Sequence, residues 1–397
     1  MISDAVDVAV VGAGPYGLSL AAHLRRANRS VRIFGDPMAF WIRHMPPGMR
    51  LKSEGFASDL YDPRGDFTLR RYCAERRLDY ADIGLPVAVG TFAAYGLEFQ
   101  RRYVPGLEPT RVDHIGRDGS GFDLRLTGGE RLRARKVVVA TGVASFAYTP
   151  AMLASLSPEW VTHSVDHGDV SAFSGRRVAV LGAGASAADI AVALRAAGAT
   201  VELLIRGDAI RFHDAPAEPR PWFSRLIAPR SGLGIGWRSR FCTDLPVVFH
   251  LLPRRLRFRA VARHLGPAPC WFVREAVDGH IPVHLRVGLS AAVVHDGTLR
   301  LSYRQDDEAE RTREFDHVVA ATGFRVAIAR LNFLGTELTS EMRLVEDTPV
   351  LDRHFQSSIP GLYFTGGAAA NSFGPMLRFA FGARFAARRI SAHLAAS

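Results

Sequence analysis

Two glycine-rich turns of one kind, Gly12-Ala-Gly14-Pro-Tyr-Gly17 and Gly182-Ala-Gly184-Ala-Ser-Ala187, constrain this chain more than any other feature. They lie 170 residues apart. Each follows an apolar run, Val6-Asp-Val-Ala-Val-Val11 or Arg176-Arg-Val-Ala-Val-Leu181, and each opens a helical pattern. Strand, turn and helix in that order form the context in which such a motif binds a dinucleotide. The glycines let the backbone turn tightly and approach a pyrophosphate, whose charge meets the N–H groups at the helix start. Two such units imply two dinucleotides, with hydride passing between them.

The rest of the chain organises around these units. The first continues with a helix near 15–27, a strand at 30–34, a Pro-, Gly- and Met-rich loop (35–66), and helices at 68–77 and 91–104. Short strands at 110–133 follow, then an apolar strand ending Ala140-Thr141-Gly142. The second unit opens near Val161, with a helix at 186–197 and a strand at 200–206. Residues 207–280, rich in Pro, Arg, Trp and Phe, break the regularity and include a basic amphipathic stretch, Leu251 to Leu265. Strands return at 283–303, and a second closing strand ends Ala321-Thr322-Gly323-Phe324. A strand and turn through Gly366 and a long helix near 374–395 finish the chain. The two Ala-Thr-Gly ends read as crossings between domains. The expected fold is α/β with two Rossmann-like domains, the second inserted into a discontinuous first: 1–155 and 318–397 around 156–317.

The chain has 397 residues, enough for two or three cores. Its net charge of +11 raises the question of nucleic acid or anionic membrane. All but two of its 50 basic residues are arginine, the lysines being Lys52 and Lys136, and they are spread among 39 acids. That distribution argues against nucleic acid and for anionic small ligands such as NADPH. Cys73, Cys242 and Cys270 show neither C-x-x-C nor Cys/His metal spacing, so no metal site, redox dithiol or disulfide framework is expected. No apolar stretch approaches the roughly 20 residues of a membrane span. A cytoplasmic protein without stable membrane insertion is expected, its oligomeric state open.

Candidate contacts follow from the motifs. Gly12, Gly14, Pro15 and Gly17 would cradle the first dinucleotide, and Gly182, Gly184 and Ser186 the second. The acid that ordinarily holds the ribose after the second strand is replaced by Gly35, leaving Asp36 or a backbone group. In the second unit that strand ends in Arg206, which can pair with a 2′-phosphate and so selects NADPH, or simply sits solvated. Trp41, Met49, Leu51, Lys52 and Ser53 form a segment able to run along a flavin. Lys52 would contact a flavin edge or an anionic substrate, or lie on the surface. Thr141, Gly142, Thr322, Gly323 and Gly366 are small strand-end residues expected beside the cofactors. His163 and His167 are candidates for a place near the nicotinamide. Trp222, Phe223, Trp237, Trp271 and Phe272 would pack in the core or line a pocket.

With these residues the chain resembles the class B flavoprotein monooxygenases: flavin-containing monooxygenases, Baeyer–Villiger monooxygenases and siderophore N-hydroxylases. The two fingerprints and the Ala321-Thr-Gly-Phe324 linker carry the likeness. So do the stretch from Met49 to Thr68 and the ending Asn371-Ser-Phe373-Gly374-Pro-Met-Leu-Arg378, similar to N-hydroxylase flavin and substrate segments. The resemblance implies FAD in the first site, NADPH in the second, and Phe373 and Gly374 near the flavin. It also implies oxygen transfer from a flavin C4a-(hydro)peroxide to a small molecule, with Lys52 as the candidate catalytic residue. Lysine at that position follows the N-hydroxylases, where flavin-containing monooxygenases have asparagine. Phe373 replaces a histidine usual in N-hydroxylases, and Ser157 and Glu159 break the Baeyer–Villiger fingerprint that would end at His163. The rival reading is an FAD-dependent NAD(P)H reductase or oxidase without oxygen transfer.

Overall fold

The computed structural model describes residues 3–216, 219–264, 266, 268–306 and 308–396. Leu265, the end of the expected basic stretch, and parts of the 207–280 insertion lie outside them.

The first sheet is built on Ser3–Val11, whose apolar run is what a strand covered on both faces requires. It lies parallel between Val31–Phe34 and Arg131–Val139, with Val10 opposite both Ile33 and Val138. The first half of Arg131–Val139 pairs antiparallel with Gly121–Leu126, and its last three residues pair parallel with Leu362–Phe364. One strand therefore carries a hairpin from its own neighbourhood and a strand from the chain's end on the same edge. This is how both chain ends enter one domain.

The second sheet is wholly parallel, in the order Val283–His284, Thr200–Leu204, Arg177–Leu181, His317–Ala320, Val161–His163. His317–Ala320 is thus hydrogen-bonded inside the second sheet, and the crossing back falls after Ala320 rather than at 317. A three-stranded antiparallel sheet, Val287–His295, Thr298–Gln305 and Arg311–Phe315, packs beside it around Leu299, Leu301 and Tyr303.

Two expectations need correction. The C-terminal helix runs Ala383–Ala396, because residues 375–382 form two short 3-10 turns. These are held down by Tyr16, whose hydroxyl donates to the carbonyls of Leu377 and Phe379 at 2.9 and 2.8 Å. The insertion, grouped by sequence with the second domain, packs into both cores: Leu233, Cys242 and Phe249 enter the first, while Val277 enters the second with Ile210, Phe212 and Val273 against it.

Candidate functional site

Both fingerprints close in the same way. Gly12 (φ +116°) and Gly182 (φ +140°) lie against the carbonyl oxygens of Ala140 and Ala321, and a β-carbon on either would overlap that oxygen. Each glycine turn therefore nests on an Ala-Thr-Gly strand end, and only glycine combines the positive φ with that approach. Gly17 is equally constrained, by the Gly12 carbonyl, whereas Ala187 keeps its methyl, buried, in the second unit.

The helix starts match as well. Gly14 caps Pro15–Arg26 with φ −85° and ψ −171°, and Gly184 caps Ala185–Ala196 with φ −88° and ψ 179°. Neither helix has a side-chain cap or an acid in its first turn. The first-turn N–H groups and the positive end of each helix dipole are thus left for an anion. Nothing lies within 4 Å of where a Gly14 β-carbon would stand, so space is open where a pyrophosphate would approach. Nearby, at the end of Leu362–Phe364, the Thr365 hydroxyl is buried without a partner. An uncapped helix start, an open glycine and an orphaned hydroxyl fit a bound dinucleotide.

The crossings between domains lie side by side. Ala147 bridges Phe324 antiparallel, Tyr148 N–H donates to the Gly323 carbonyl (2.9 Å), and the Thr322 hydroxyl donates to the Tyr148 carbonyl. The Arg325 guanidinium covers the Tyr148 ring at 3.4 Å. His163 Nδ1 accepts from Val165 N–H, which leaves its Nε2 as the donor to the Gly323 carbonyl at 3.0 Å. His167 and His317 share the Thr162 hydroxyl at 2.6 and 2.7 Å. Of the two histidines expected near a nicotinamide, His163 is thus tied to the crossing segment between the domains and His167 to Thr162 of the second sheet. Burial holds them neutral by pushing their pKa down.

The structure gathers a group that sequence spacing does not show. Lys52 is within electrostatic reach of Asp189 from the second fingerprint helix, Cys270 from the insertion and Arg378 from the C-terminal segment. Burial depresses the Lys52 ammonium and raises the Asp189 carboxyl to about 7, less than it would without Lys52 nearby. Burial also lifts the Cys270 thiol to about 11, which keeps it neutral near pH 7 and leaves Asp189 as the acid that influences Lys52 there. Asp189 was legible only as the one acid in the alanine-rich stretch 185–197; Cys270 carried no signal.

Other candidates fall differently. Asp36 is ion-paired to Arg43 (2.7 Å), so a ribose competes with that arginine. Trp41 packs edge-on against Phe92 (centroids 4.8 Å), Leu51 is buried in the first core, and Ser53 is half-buried beside Lys52. Arg206 is exposed just past its strand. Gly366 sits beside the Tyr16 ring. The Phe373 ring stacks on Phe355 (4.0 Å) and on His250 (4.9 Å), so both of its faces are occupied by packing. Gly374 faces Phe249 and the Cys242 carbonyl of the insertion. Trp222, Phe223 and Trp237, expected in the core or a pocket, are exposed.

Two parallel-sheet dinucleotide units, one threaded into the other, define the class: the chain has the two-domain fold of FAD- and NADP-dependent flavoproteins. Residues 99–231 match the family described as pyridine nucleotide-disulphide oxidoreductase. Over its whole length the chain is similar to the desferrioxamine-pathway cadaverine monooxygenase of Erwinia amylovora, at TM-score 0.75 and 18% identity, covering 100% of this chain and 95% of that one. It is similar to the flavin-containing monooxygenase of Stenotrophomonas maltophilia at TM-score 0.65 and 22% identity, covering 98% and 99%. In sequence it is 30% identical over 228 residues to the ferredoxin–NADP reductase of Gluconacetobacter diazotrophicus, covering 56% of this chain. The chain spans a little over half the length of the curated relatives it first matches, 59% and 56%. The resemblance to class B monooxygenases thus holds at the level of fold. No helix among the described residues is long and apolar enough to cross a membrane.

Proposed function

We propose that this chain is an NADPH- and O2-dependent flavoprotein monooxygenase acting on a small molecule with a nucleophilic nitrogen or sulfur. The observation that carries the reading is the pair of matched, uncapped glycine helix starts, one in each domain, with Lys52 of the first domain in electrostatic reach of Asp189 of the second.

Gly12, Gly14 and Gly17 would hold FAD, with the Thr365 hydroxyl as a further donor. Gly182, Gly184 and Ser186 would hold NADPH, with Arg206 on its 2′-phosphate. When bound, FAD would accept hydride from NADPH and supply the chemistry that activates O2 for transfer of one oxygen atom. The protein's part is position and shielding: the buried aromatic and aliphatic wall around Phe355, Phe373 and Met376 keeps water from the C-terminal segment. Lys52, its ammonium destabilised by burial, can hold a proton or an anionic group at the domain seam, and Asp189 tunes that charge.

The reductase reading is the second, favoured by the 30% identity to a ferredoxin–NADP reductase. The test is to load the protein with FAD and follow NADPH oxidation, O2 uptake and product with amines and sulfides. Stoichiometric oxygenated product supports the monooxygenase. Electrons delivered to ferredoxin or an artificial acceptor, with no oxygenated product from any amine or sulfide, would establish the reductase instead.

A further inference from the structure

The insertion presents an apolar surface outward. The helix Trp222–Ile227 exposes Trp222 (75%), Phe223, Leu226 and Ile227 (72%), which share one face at helical spacing. Ile235 and Trp237 (62%), the latter opening the helix Trp237–Asp244, are exposed as well. Leu245, Val248 and Leu251 (77%), three residues apart, follow along Pro246–Leu251, and Leu256 along Arg254–Arg263. Trp237–Asp244 and Pro246–Leu251 are anchored on their other side, where Cys242 and Phe249 enter the first domain's core, whereas Trp222–Ile227 buries none of its side chains. The exposed side chains are therefore not a displaced core. A run of outward tryptophan, leucine and isoleucine of this length marks an interaction surface.

Charge identifies what covers it. Residues 219–264 contain ten arginines and one acid, Asp244, which is paired with Arg240 at 2.8 Å. A second copy of this chain would bring ten more arginines against the first ten. A nucleic acid would meet the arginines but leave the aliphatic side chains without a partner. An anionic bilayer satisfies both: tryptophan and aliphatic side chains enter the headgroup boundary while arginines face the lipid phosphates. The helices have 6, 8, 6 and 10 residues, far short of a span, so they would lie in the interface.

We propose that residues 222–256 form a monotopic docking surface for an anionic lipid bilayer. This goes beyond the proposed activity and does not depend on it. The layer rests on the C-terminal segment, His250 stacking on Phe373 and Arg257 reaching the Ser372 carbonyl at 3.4 Å. Docking would therefore place the membrane one helix layer from that segment.

The test is flotation of the full-length protein with phosphatidylcholine vesicles, with and without phosphatidylglycerol, while tryptophan fluorescence is recorded. The expected result is binding to the anionic vesicles, weakened by salt, with a blue shift as Trp222 and Trp237 leave water. The triple variant Trp222→Ser/Ile227→Ser/Leu251→Ser, and separately Arg254→Glu/Arg255→Glu, should each lower partitioning more than about tenfold, with unchanged circular dichroism. Absence of anionic-vesicle binding would overturn the proposal, as would binding that both variants retain. A dimer in sedimentation velocity that the apolar variant dissociates would assign this face to a second copy and overturn it equally.

Discussion

His163 Nε2 donates to the carbonyl oxygen of Gly323 across 3.0 Å, joining the last residue of an edge strand to the segment where the chain leaves the second domain. The bond requires the neutral ring, because the other nitrogen accepts from Val165 N–H. Two further neutral histidines, His167 and His317, share one threonine hydroxyl within the second domain.

Acid should loosen these bonds. Burial pushes His317 down to about 4, and lowers His163 and His167 as well. A histidine whose folded pKa is depressed gives stability that is fully present above its unfolded value and is lost as pH falls toward the folded value. For His317 the window runs from about 6.5 to about 4. The thermal unfolding temperature should fall as pH drops from about 6.5 to about 4, and His317→Gln should flatten that fall. An unchanged slope in the variant would remove His317 from the account.

Gly12 and Gly14 should respond oppositely. Gly12→Ala meets the Ala140 carbonyl and an unfavourable φ, and should cost on the order of 3 kcal/mol of stability. Gly14→Val enters open space, so the apoprotein should melt as before while flavin absorbance per chain drops. Calorimetry and the visible spectrum separate the two. Full flavin content in Gly14→Val would mean that the first cleft has been assigned wrongly.

Thr365→Val should act through the same cleft. Removing a buried hydroxyl without a partner leaves the apoprotein as stable or slightly more so. FAD affinity should weaken by about tenfold, the worth of one lost hydrogen bond. Titration of apoprotein with FAD checks it, and equal affinity would show that the hydroxyl has no part in binding.

Arg206→Ala should raise the NADPH Michaelis constant by about tenfold or more and hardly change that for NADH, since only the former carries the 2′-phosphate. Equal effects on both nucleotides would end that assignment.

The Lys52–Asp189 pair gives a pH signature. With Asp189 pushed up to about 7, NADPH oxidation should inflect near that pH, and Asp189→Asn should erase the inflection. Lys52→Met should lower coupling of NADPH to product more than flavin content. A profile identical in wild type and Asp189→Asn would mean that this carboxyl does not govern turnover.

What the sequence determined by itself is whatever short-range backbone chemistry dictates. The two strand–turn–helix units, the glycines that must turn at positive φ, and the Ala-Thr-Gly strand ends beside them are local demands, and local residues express them. The return of Leu362–Phe364 to the first sheet was legible only as a resemblance between strand ends. What tertiary structure alone decided depends on partners distant in sequence. The electrostatic influence of Asp189, Cys270 and Arg378 on Lys52 links four separate segments. Arg43 takes the Asp36 carboxylate, Phe373 is stacked between other rings, and the long C-terminal helix starts only at Ala383 because Tyr16 holds the turns before it. Composition marked Trp222 and Trp237 as apolar, and only packing could leave them facing outward. Side-chain periodicity records which residues share a face, while burial of that face depends on a surface built by the rest of the chain.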